Sequence, residues 1–166
     1  MDTQHHPDYI EPSVFVAAGA IILGDVHIGA QSSVWFNAVI RADTDRVAIG
    51  AGTNVQDGVI IHVDAGAPCL IGNGVTIGHR AVVHGALVED DVLIGIGAIV
   101  LSGAKIGHES ILGAGTLVTG GTIVPPRSLV LGVPGRVVRS LSDEEVASIK
   151  SGATRYVQYS AQYRGA

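Results

Sequence analysis

The stretch "IGIGAIVLSGAKIGHESILGAGTLVTGGTIV", residues 94–124, carries an aliphatic residue at every sixth position. A small or polar residue, often glycine, follows most of these positions within two places. An amphipathic helix would repeat its apolar residues every three or four positions, so the spacing excludes a helical reading of this stretch. A constant period of six instead predicts a chain that is built from short repeated units.

The same repeat extends in both directions from this stretch. It is interrupted by a three-residue insertion before Ile49, a four-residue insertion before Ile71 and one step of five to Val88. All twenty positions are Ile, Val or Leu: Ile10, Val16, Ile22, Ile28, Val34, Ile40, Ile49, Val55, Ile61, Ile71, Ile77, Val83, Val88, Ile94, Val100, Ile106, Leu112, Val118, Val124 and Val130. One periodic domain is therefore expected over most of the chain.

This pattern resembles the hexapeptide-repeat proteins, whose fold is a left-handed parallel β-helix with three short sides in each coil of about 18 residues. The resemblance implies an all-β fold of about six to seven coils, with the aliphatic hexad residues pointing inward, and we expect a C-terminal α-helix after it. We divide the chain into an N-terminal extension (1–9), the β-helix (10–135), and a C-terminal linker and helix (136–166).

The C-terminal segment has the features of a helix. Ser142 and Glu145 form a capping-box pattern, with acidic residues in the first turn. Gly152 is a weak point that could divide the helix. We expect four apolar or aromatic residues to face the β-helix: Val146, Ile149, Tyr156 and Tyr163.

Composition excludes several classes of function. The 166 residues suffice for one domain, and the formal net charge of −5 gives no basic surface for nucleic acid or an anionic membrane. We find no signal peptide and no long apolar run, so no membrane span is expected. The single cysteine, Cys69, excludes an internal disulfide and fits a reducing compartment, so the cytoplasm is the expected location.

Two columns of polar residues follow from the repeat, because hexads three apart share a side. Arg41, His62 and His84 occupy the same hexad position on successive coils of one side. Coils stack at about 4.8 Å, the spacing of neighbouring strands, so His62 and His84 should be direct neighbours that can share one metal ion. Asp57 and His79 form a second column on another side, with the same offset of one coil.

Within one chain the two columns face apart, but in a three-fold trimer one side of each prism can meet another side of its neighbour. His79 of one chain would then complete a three-histidine site with His62 and His84 of the next. One docking would also bring Asp57 to Arg41. The matching offsets favour a homotrimer whose metal sites are shared between adjacent chains.

The motifs resemble the γ-class carbonic anhydrases. "RAD" (41–43), "NVQD" (54–57), "VIIHVD" (59–64) and "GHRAVVH" (78–84) stand in the order and at the spacing of that family. The resemblance implies reversible hydration of CO₂ to bicarbonate by a metal-bound hydroxide, with His62, His79 and His84 as ligands. Zn²⁺ is the expected metal, and Fe²⁺ or Co²⁺ is also compatible with imidazole ligands.

The resemblance also implies roles for other residues. Gln56 would orient the metal-bound water, while Arg41, Asp43 and Asp57 frame the site and help to hold bicarbonate. Tyr159, or Tyr156, would reach the metal pocket from the C-terminal helix. Asn54 is a further candidate for support of the ligands.

The chain departs from the founding type of the family, which carries glutamates for proton export. Thr44 stands at one such place, and Asp64 is the one acid in the short loop after His62. The chain therefore resembles the shorter branch of the family, in which this proton shuttle is missing, and its rate of CO₂ hydration stays open.

Three alternatives remain compatible with the sequence. A hexapeptide acyltransferase would use a histidine as general base and needs no metal. A CoA thioesterase would use the same metal site. A catalytically weak scaffold would hold a structural metal, closed by a fourth ligand for which Cys69 is the candidate.

Overall fold

The computed structural model describes residues 1–164 and forms a parallel β-helix followed by a single long helix. The predicted fold, an all-β left-handed β-helix with a C-terminal α-helix, is confirmed. A short 3₁₀ turn, Pro7–Tyr9, precedes the first coil. Among residues 1–164, no helix combines the length and the apolar character that crossing a membrane requires.

One side of the prism, which we name the helix-covered side, is a ladder of short strands that pair in parallel from coil to coil. Its strands are β1 (Phe15–Val16), β3 (Ser33–Val34), β5 (Asn54–Val55), β8 (Thr76–Ile77), β11 (Leu93–Ile94), β14 (Ile111–Leu112) and β17 (Ser128–Gly132). At its end, β18 (Gly135–Ser140) pairs antiparallel with β17.

The other two sides are joined through long strands that continue round a corner, β2 (Ile21–Ile28) and β4 (Val39–Ile49). The histidine side continues with β6 (Ile60–His62), β9 (Val82–His84), β12 (Ile99–Val100) and β15 (Leu117–Val118). The third side continues with β7 (Cys69–Ile71), β10 (Leu87–Val88), β13 (Lys105–Ile106) and β16 (Ile123–Val124).

The hexad residues form the core, as predicted. Eighteen of the twenty are buried in one continuous cluster, and each buried aliphatic side chain contributes roughly 1.5–3 kcal/mol to folding. The two others belong to the first coil: Ile10 packs against the cluster from its edge, and Val16 is 43% exposed. No earlier coil covers these two positions, so on their two sides burial begins with the next coil, at Ile28 and Val34, whereas Ile22 of the first coil is already buried.

The C-terminal helix, α1 (Asp143–Arg164), closes the helix-covered side. Its capping box is formed: the Glu145 N–H lies 3.3 Å from Ser142 Oγ, and the Ser142 N–H lies 2.9 Å from a Glu145 carboxylate oxygen. The helix runs without a break through Gly152, so this weak point does not divide it.

The face of α1 that the sequence predicted does contact the β-helix. Val146 and Ile149 are buried in a cluster with residues of β11, β14 and β17, and Tyr156 packs on a cluster that contains Trp35. Tyr163 meets Trp35 edge to face, with ring centroids 5.1 Å apart. Residues 136–140, expected to be linker, form most of β18, because the last strand of the ladder offers a free edge for pairing.

Candidate metal centre

The first polar column lies on the histidine side, where the sequence placed it. Arg41 is the Cα partner of His62, and His62 is the Cα partner of His84, on the successive strands β4, β6 and β9. Each of these residues follows a buried hexad residue, so its side chain points outward from the strand. Strand pairing therefore holds the two imidazoles side by side.

The two rings face each other through one nitrogen each. His62 Nδ1 lies 2.9 Å from His84 Nε2, and the ring centroids are 4.9 Å apart. The other ring nitrogens bind oxygen atoms: His62 Nε2 lies 3.0 Å from Asp43 Oδ1, and His84 Nδ1 lies 2.9 Å from Ser102 Oγ. Both histidines are partly buried, so these contacts fix the ring orientations.

Asp43 contacts the Arg41 and His62 members of this column. It is buried, and its carboxylate accepts hydrogen bonds from His62 and from the Arg41 guanidinium. Burial would raise the pKa of Asp43, but the hydrogen bonds from His62 and Arg41 outweigh it and hold the pKa below its usual value. Asp43 is therefore ionised at neutral pH and accepts a proton donor on each oxygen.

The second column lies where the helix-covered side turns toward the histidine side. His79 Nδ1 lies 2.9 Å from Asp57 Oδ2, which confirms that these residues are neighbours one coil apart. Both side chains are more than 40% exposed. Gly78, just before His79, passes so close to the next coil that a Cβ atom would lie 2.8 Å from the Ile96 nitrogen.

Gln56 supports the backbone of His79 from the coil before it. Its Oε1 accepts the His79 N–H at 3.2 Å, and its Nε2 donates to Asn54 Oδ1 at 3.1 Å. Asn54 in turn donates to the hydroxyl of Thr76 at 2.9 Å. Gln56 and Asn54 are both buried, so this chain of amides is a fixed part of the second column.

Tyr156 and Tyr159 lie on α1 near the second column. Burial raises the pKa of Tyr156, and the nearby Asp57 carboxylate adds to the rise, so the phenol stays neutral. Tyr159 is 42% exposed and meets Tyr156 edge to face. It lines a crevice of about 300 Å³ between α1 and the strands, and neither His62 nor His84 lines that crevice.

The positions of the ring protons are compatible with a bound metal ion. An ionised carboxylate only accepts hydrogen bonds, so Asp43 requires a proton on His62 Nε2, and Asp57 requires one on His79 Nδ1. In neutral rings the opposite nitrogens then carry lone pairs. His62 Nδ1 and His84 Nε2 lie 2.9 Å apart, so either a shared proton or a metal cation between them would join the two rings.

One chain does not supply a full set of ligands. Within residues 1–164, no group of three or more His, Cys, Asp or Glu side chains is arranged to hold a metal ion. His79 lies in the other column, with its Nε2 unpaired among the described residues. The three histidines predicted as ligands are thus divided between the two columns of the chain.

Comparison with known proteins agrees with these motifs. A protein of Methanocaldococcus jannaschii that is named "Probable carbonic anhydrase" is 55% identical over 91% of this chain and 95% of that protein. Gamma carbonic anhydrase 1 of Arabidopsis thaliana mitochondria is 42% identical over 89% of this chain and 56% of that protein. This chain belongs to the γ-class carbonic anhydrase family.

Other matches of this γ-class chain concern the fold. The family model "Bacterial transferase hexapeptide (six repeats)" matches residues 85–120. A crystal structure from Bacillus cereus, provisionally described as an acetyltransferase, superposes with a TM-score of 0.93 and 39% identity, over 94% of this chain and 91% of that one. The fold is thus shared with a protein to which a different chemistry has been attributed.

Cys69 does not serve as the fourth ligand that a closed structural site would need. It lies in β7 on the third side, is fully buried in the aliphatic core, and burial raises the pKa of its thiol to about 12. Its side chain points into the core on a different side of the prism from His62 and His84, so it cannot reach a metal bound by them. The candidate named for the closed-site alternative is therefore wrong.

The sequence reasoning missed Ser102 as a partner of His84 and left Asp64 without a partner. Ser102 Oγ lies within hydrogen-bond distance of both His84 Nδ1 and Asp64 Oδ2. The repeat gave no direct signal, because Val83 pairs with Val100, so the register places Leu101 opposite His84 and Ser102 one residue further on.

Proposed function

We propose that this γ-class chain catalyses the reversible hydration of CO₂ to bicarbonate at metal sites shared between adjacent chains of a homotrimer. The observation that carries the proposal is the division of the three histidines between two columns. His62 and His84 offer two facing nitrogens on the histidine side, and His79 offers a third on the helix-covered side. Within a single subunit, the pair His62 and His84 lacks a third histidine ligand, and His79 lacks the other two.

The histidine side has the surface that such a trimer needs. An unbroken aliphatic stripe runs beside the histidine column, with each member the strand partner of the next. Three of its members are more than 35% exposed in the single chain. The stripe consists of Ile21, Val39, Ile60, Val82, Ile99 and Leu117. A continuous apolar surface of this kind is typical of a subunit interface.

The donor set decides the chemistry that the site supports. Three neutral imidazoles would suit Zn²⁺ or Fe²⁺, and such a metal would lower the pKa of a bound water to about 7. Asp43 and Asp57 hold the tautomers of His62 and His79. The reaction consumes CO₂ and water and yields bicarbonate and one proton.

Other residues of the chain would act on the substrate. Arg41 is about half exposed beside the histidine pair, so its guanidinium can bind bicarbonate while Asp43 orients it. Gln56 keeps one amide N–H that Asn54 does not occupy, and it would orient the reacting water. Tyr159 would line the approach to the site from α1 of the chain that supplies His79.

Mixed trimers test the shared site directly. His79→Ala removes one half and His84→Ala removes the other, so each variant alone should bind no metal at the site. When the two variants are co-expressed in equal amounts, random trimers restore about a quarter of the sites, because each mixed trimer contains one interface with both halves intact. Metal content per chain and CO₂ hydration on anaerobically purified protein should both return to about a quarter of wild type.

A matched pair serves as the control. His62→Ala and His84→Ala damage the same half of the site, so co-expression of these two variants should restore neither metal nor activity. Equal recovery in both mixtures, or metal retained by His79→Ala alone, would refute the shared site.

Acyl transfer is the second candidate, because the Bacillus cereus neighbour with the same fold is provisionally described as an acetyltransferase. An acyltransferase would need no metal, so transfer from a CoA thioester that survives chelation would favour it. Metal bound without CO₂ hydration would favour a thioesterase at the same histidines or a weakly active scaffold.

A further inference from the structure

We propose that Ser102 is a positioning residue that works with Asp64 to hold His84 in the tautomer and orientation that metal binding requires. This inference rests on the proposed function, because it assigns a role within the same site. The three side chains form a continuous chain: His84 Nδ1 lies 2.9 Å from Ser102 Oγ, and Ser102 Oγ donates to Asp64 Oδ2 at 2.7 Å. Asp64 Oδ2 itself lies 3.6 Å from His84 Nδ1, which is too far for a direct hydrogen bond.

The direction of each hydrogen bond follows from the chemistry of the three groups. An ionised Asp64 only accepts, so the single hydroxyl proton of Ser102 must point to it. The serine oxygen is then left as an acceptor toward His84, and His84 Nδ1 must carry the ring proton. His84 Nε2, which faces His62 Nδ1 at 2.9 Å, is thereby left with its lone pair free for a metal.

The contact joins three successive coils. Asp64 lies in the loop that follows β6, His84 ends β9 one coil later, and Ser102 follows β12 in the next coil. Gly85 makes room for the contact: a Cβ at this position would lie 3.1 Å from both Ser102 Oγ and the Ala67 carbonyl oxygen, and Gly85 has a positive φ of 51°. A side chain at residue 85 would therefore crowd the Ser102 hydroxyl.

The three histidines differ in how they are supported. His62 and His79 each meet a carboxylate directly, Asp43 and Asp57 respectively. His84 contacts the neutral hydroxyl of Ser102, and the Asp64 carboxylate contacts that hydroxyl and not the imidazole. A hydroxyl alone could present either its proton or its lone pair, and the charge of Asp64 draws the proton of Ser102 away from His84, so that the serine oxygen accepts from His84 Nδ1.

The test begins with metal-free protein. Nitrogen-15 NMR of histidine-labelled wild-type trimer should show His84 protonated at Nδ1. Ser102→Ala should shift it to a mixture of tautomers, and Ser102→Thr, which keeps the hydroxyl, should restore the wild-type signal. This readout depends on neither metal nor activity, and a merely structural role of Ser102 would not move it.

Zinc affinity, measured by competition with a chelator, is the second readout. Loss of such supporting contacts typically weakens metal binding 10–100-fold, so Ser102→Ala should fall in that range and Ser102→Thr should stay near wild type. Asp64→Asn should weaken binding less than Ser102→Ala, because an amide oxygen still accepts from the serine.

Asp45→Asn is the matched control for the loop. Asp45 Oδ2 accepts the Gly66 N–H at 3.0 Å, so it anchors the same loop as Asp64 without touching Ser102 or His84. It should leave the His84 tautomer and the zinc affinity unchanged. An unchanged His84 tautomer in Ser102→Ala, or equal effects of Asp45→Asn and Asp64→Asn, would overturn the inference.

The two proposals fail in different ways. If wild-type protein binds no metal but His84 shifts its tautomer in Ser102→Ala, the proposed function fails and the role of Ser102 in orienting His84 stands. If metal and activity are present and no variant changes the tautomer, the proposed function stands and the role of Ser102 is refuted.

Discussion

The two half-sites of one chain are built differently. On the histidine side, His62 and His84 are partly buried, and every ring nitrogen has a contact within the chain. On the helix-covered side, His79 and Asp57 are each more than 40% exposed and pair mainly with each other. The first half is therefore organised within one chain, whereas the second half is open to solvent and, in the proposed trimer, would be covered by a neighbouring chain.

This difference follows from the place of each half on the prism. Strand pairing along β4, β6 and β9 fixes the first half, since paired residues in neighbouring strands must lie side by side. His79 lies at a corner, in a turn where the next residue, Arg80, has a positive φ of 58°. Corners project from the solenoid, so they are the parts that another prism can contact.

The largest difference between the two half-sites is expected when the carboxylate of each is removed in turn. Asp43→Ala leaves Arg41 and His62 without their acceptor at a buried position, and we expect zinc affinity to fall about 100-fold. Asp57→Ala removes an exposed partner, and we expect a loss of about tenfold. Competition of both variants with a zinc chelator measures the ratio. Equal losses would mean that the two halves are organised to the same degree.

A substitution in the helix should stabilise the helix-covered side and leave the histidine side unaffected. Gly152 lies in the interior of α1, and no atom lies within 4 Å of the place where its Cβ would be. Glycine costs about 1 kcal/mol relative to alanine in a helix, so Gly152→Ala should raise the melting temperature by about 2–4 °C. Metal content should stay at the wild-type value. A lower melting temperature would show that the space beside residue 152 is needed.

The smallest effect is expected at the start of the helix, and it depends on pH. Hydrogen bonds from Arg139, and then from the Ser142 backbone, lower the pKa of Glu145 from 4.5 to about 2. A carboxyl group whose pKa is lower in the folded state stabilises the protein fully above pH 4.5, and the contribution is lost as the pH falls toward 2.

Glu145→Gln should therefore lower the melting temperature by about 1–3 °C at pH 7, because the ion pair is exposed. The difference from wild type should shrink between pH 4.5 and pH 2 and should be absent near pH 2. Thermal unfolding of metal-free protein at several pH values measures it, and a difference that is independent of pH would exclude an electrostatic cause.

The fold and the two columns could be predicted because the repeat has a constant period. Once the hexad positions are known, the side of every residue follows, and Arg41, His62 and His84 fall into one ladder without further information. The role of Ser102 could not be read in this way, because serine is common at exposed corners and its partner Asp64 reaches it from an inserted loop.

Two other features were not predicted, for different reasons. Cys69 comes two residues before a hexad position, where the alternation of a strand turns its side chain toward the core. The strand β18 forms because an edge is free at the end of the ladder, which is a tertiary effect. The shared metal site itself stays a prediction until mixed trimers are measured.

The length of α1 has a consequence for how this architecture can change in size. The helix contacts strands from β17 at the last coil to β1 at the first, and Arg164 reaches the Ser13 carbonyl oxygen. Its 22 residues extend about 33 Å, and seven stacked strands need roughly 29 Å. Insertion or deletion of one coil would therefore require about three residues to be gained or lost in the helix. Coil number and helix length must vary together in evolution and in design.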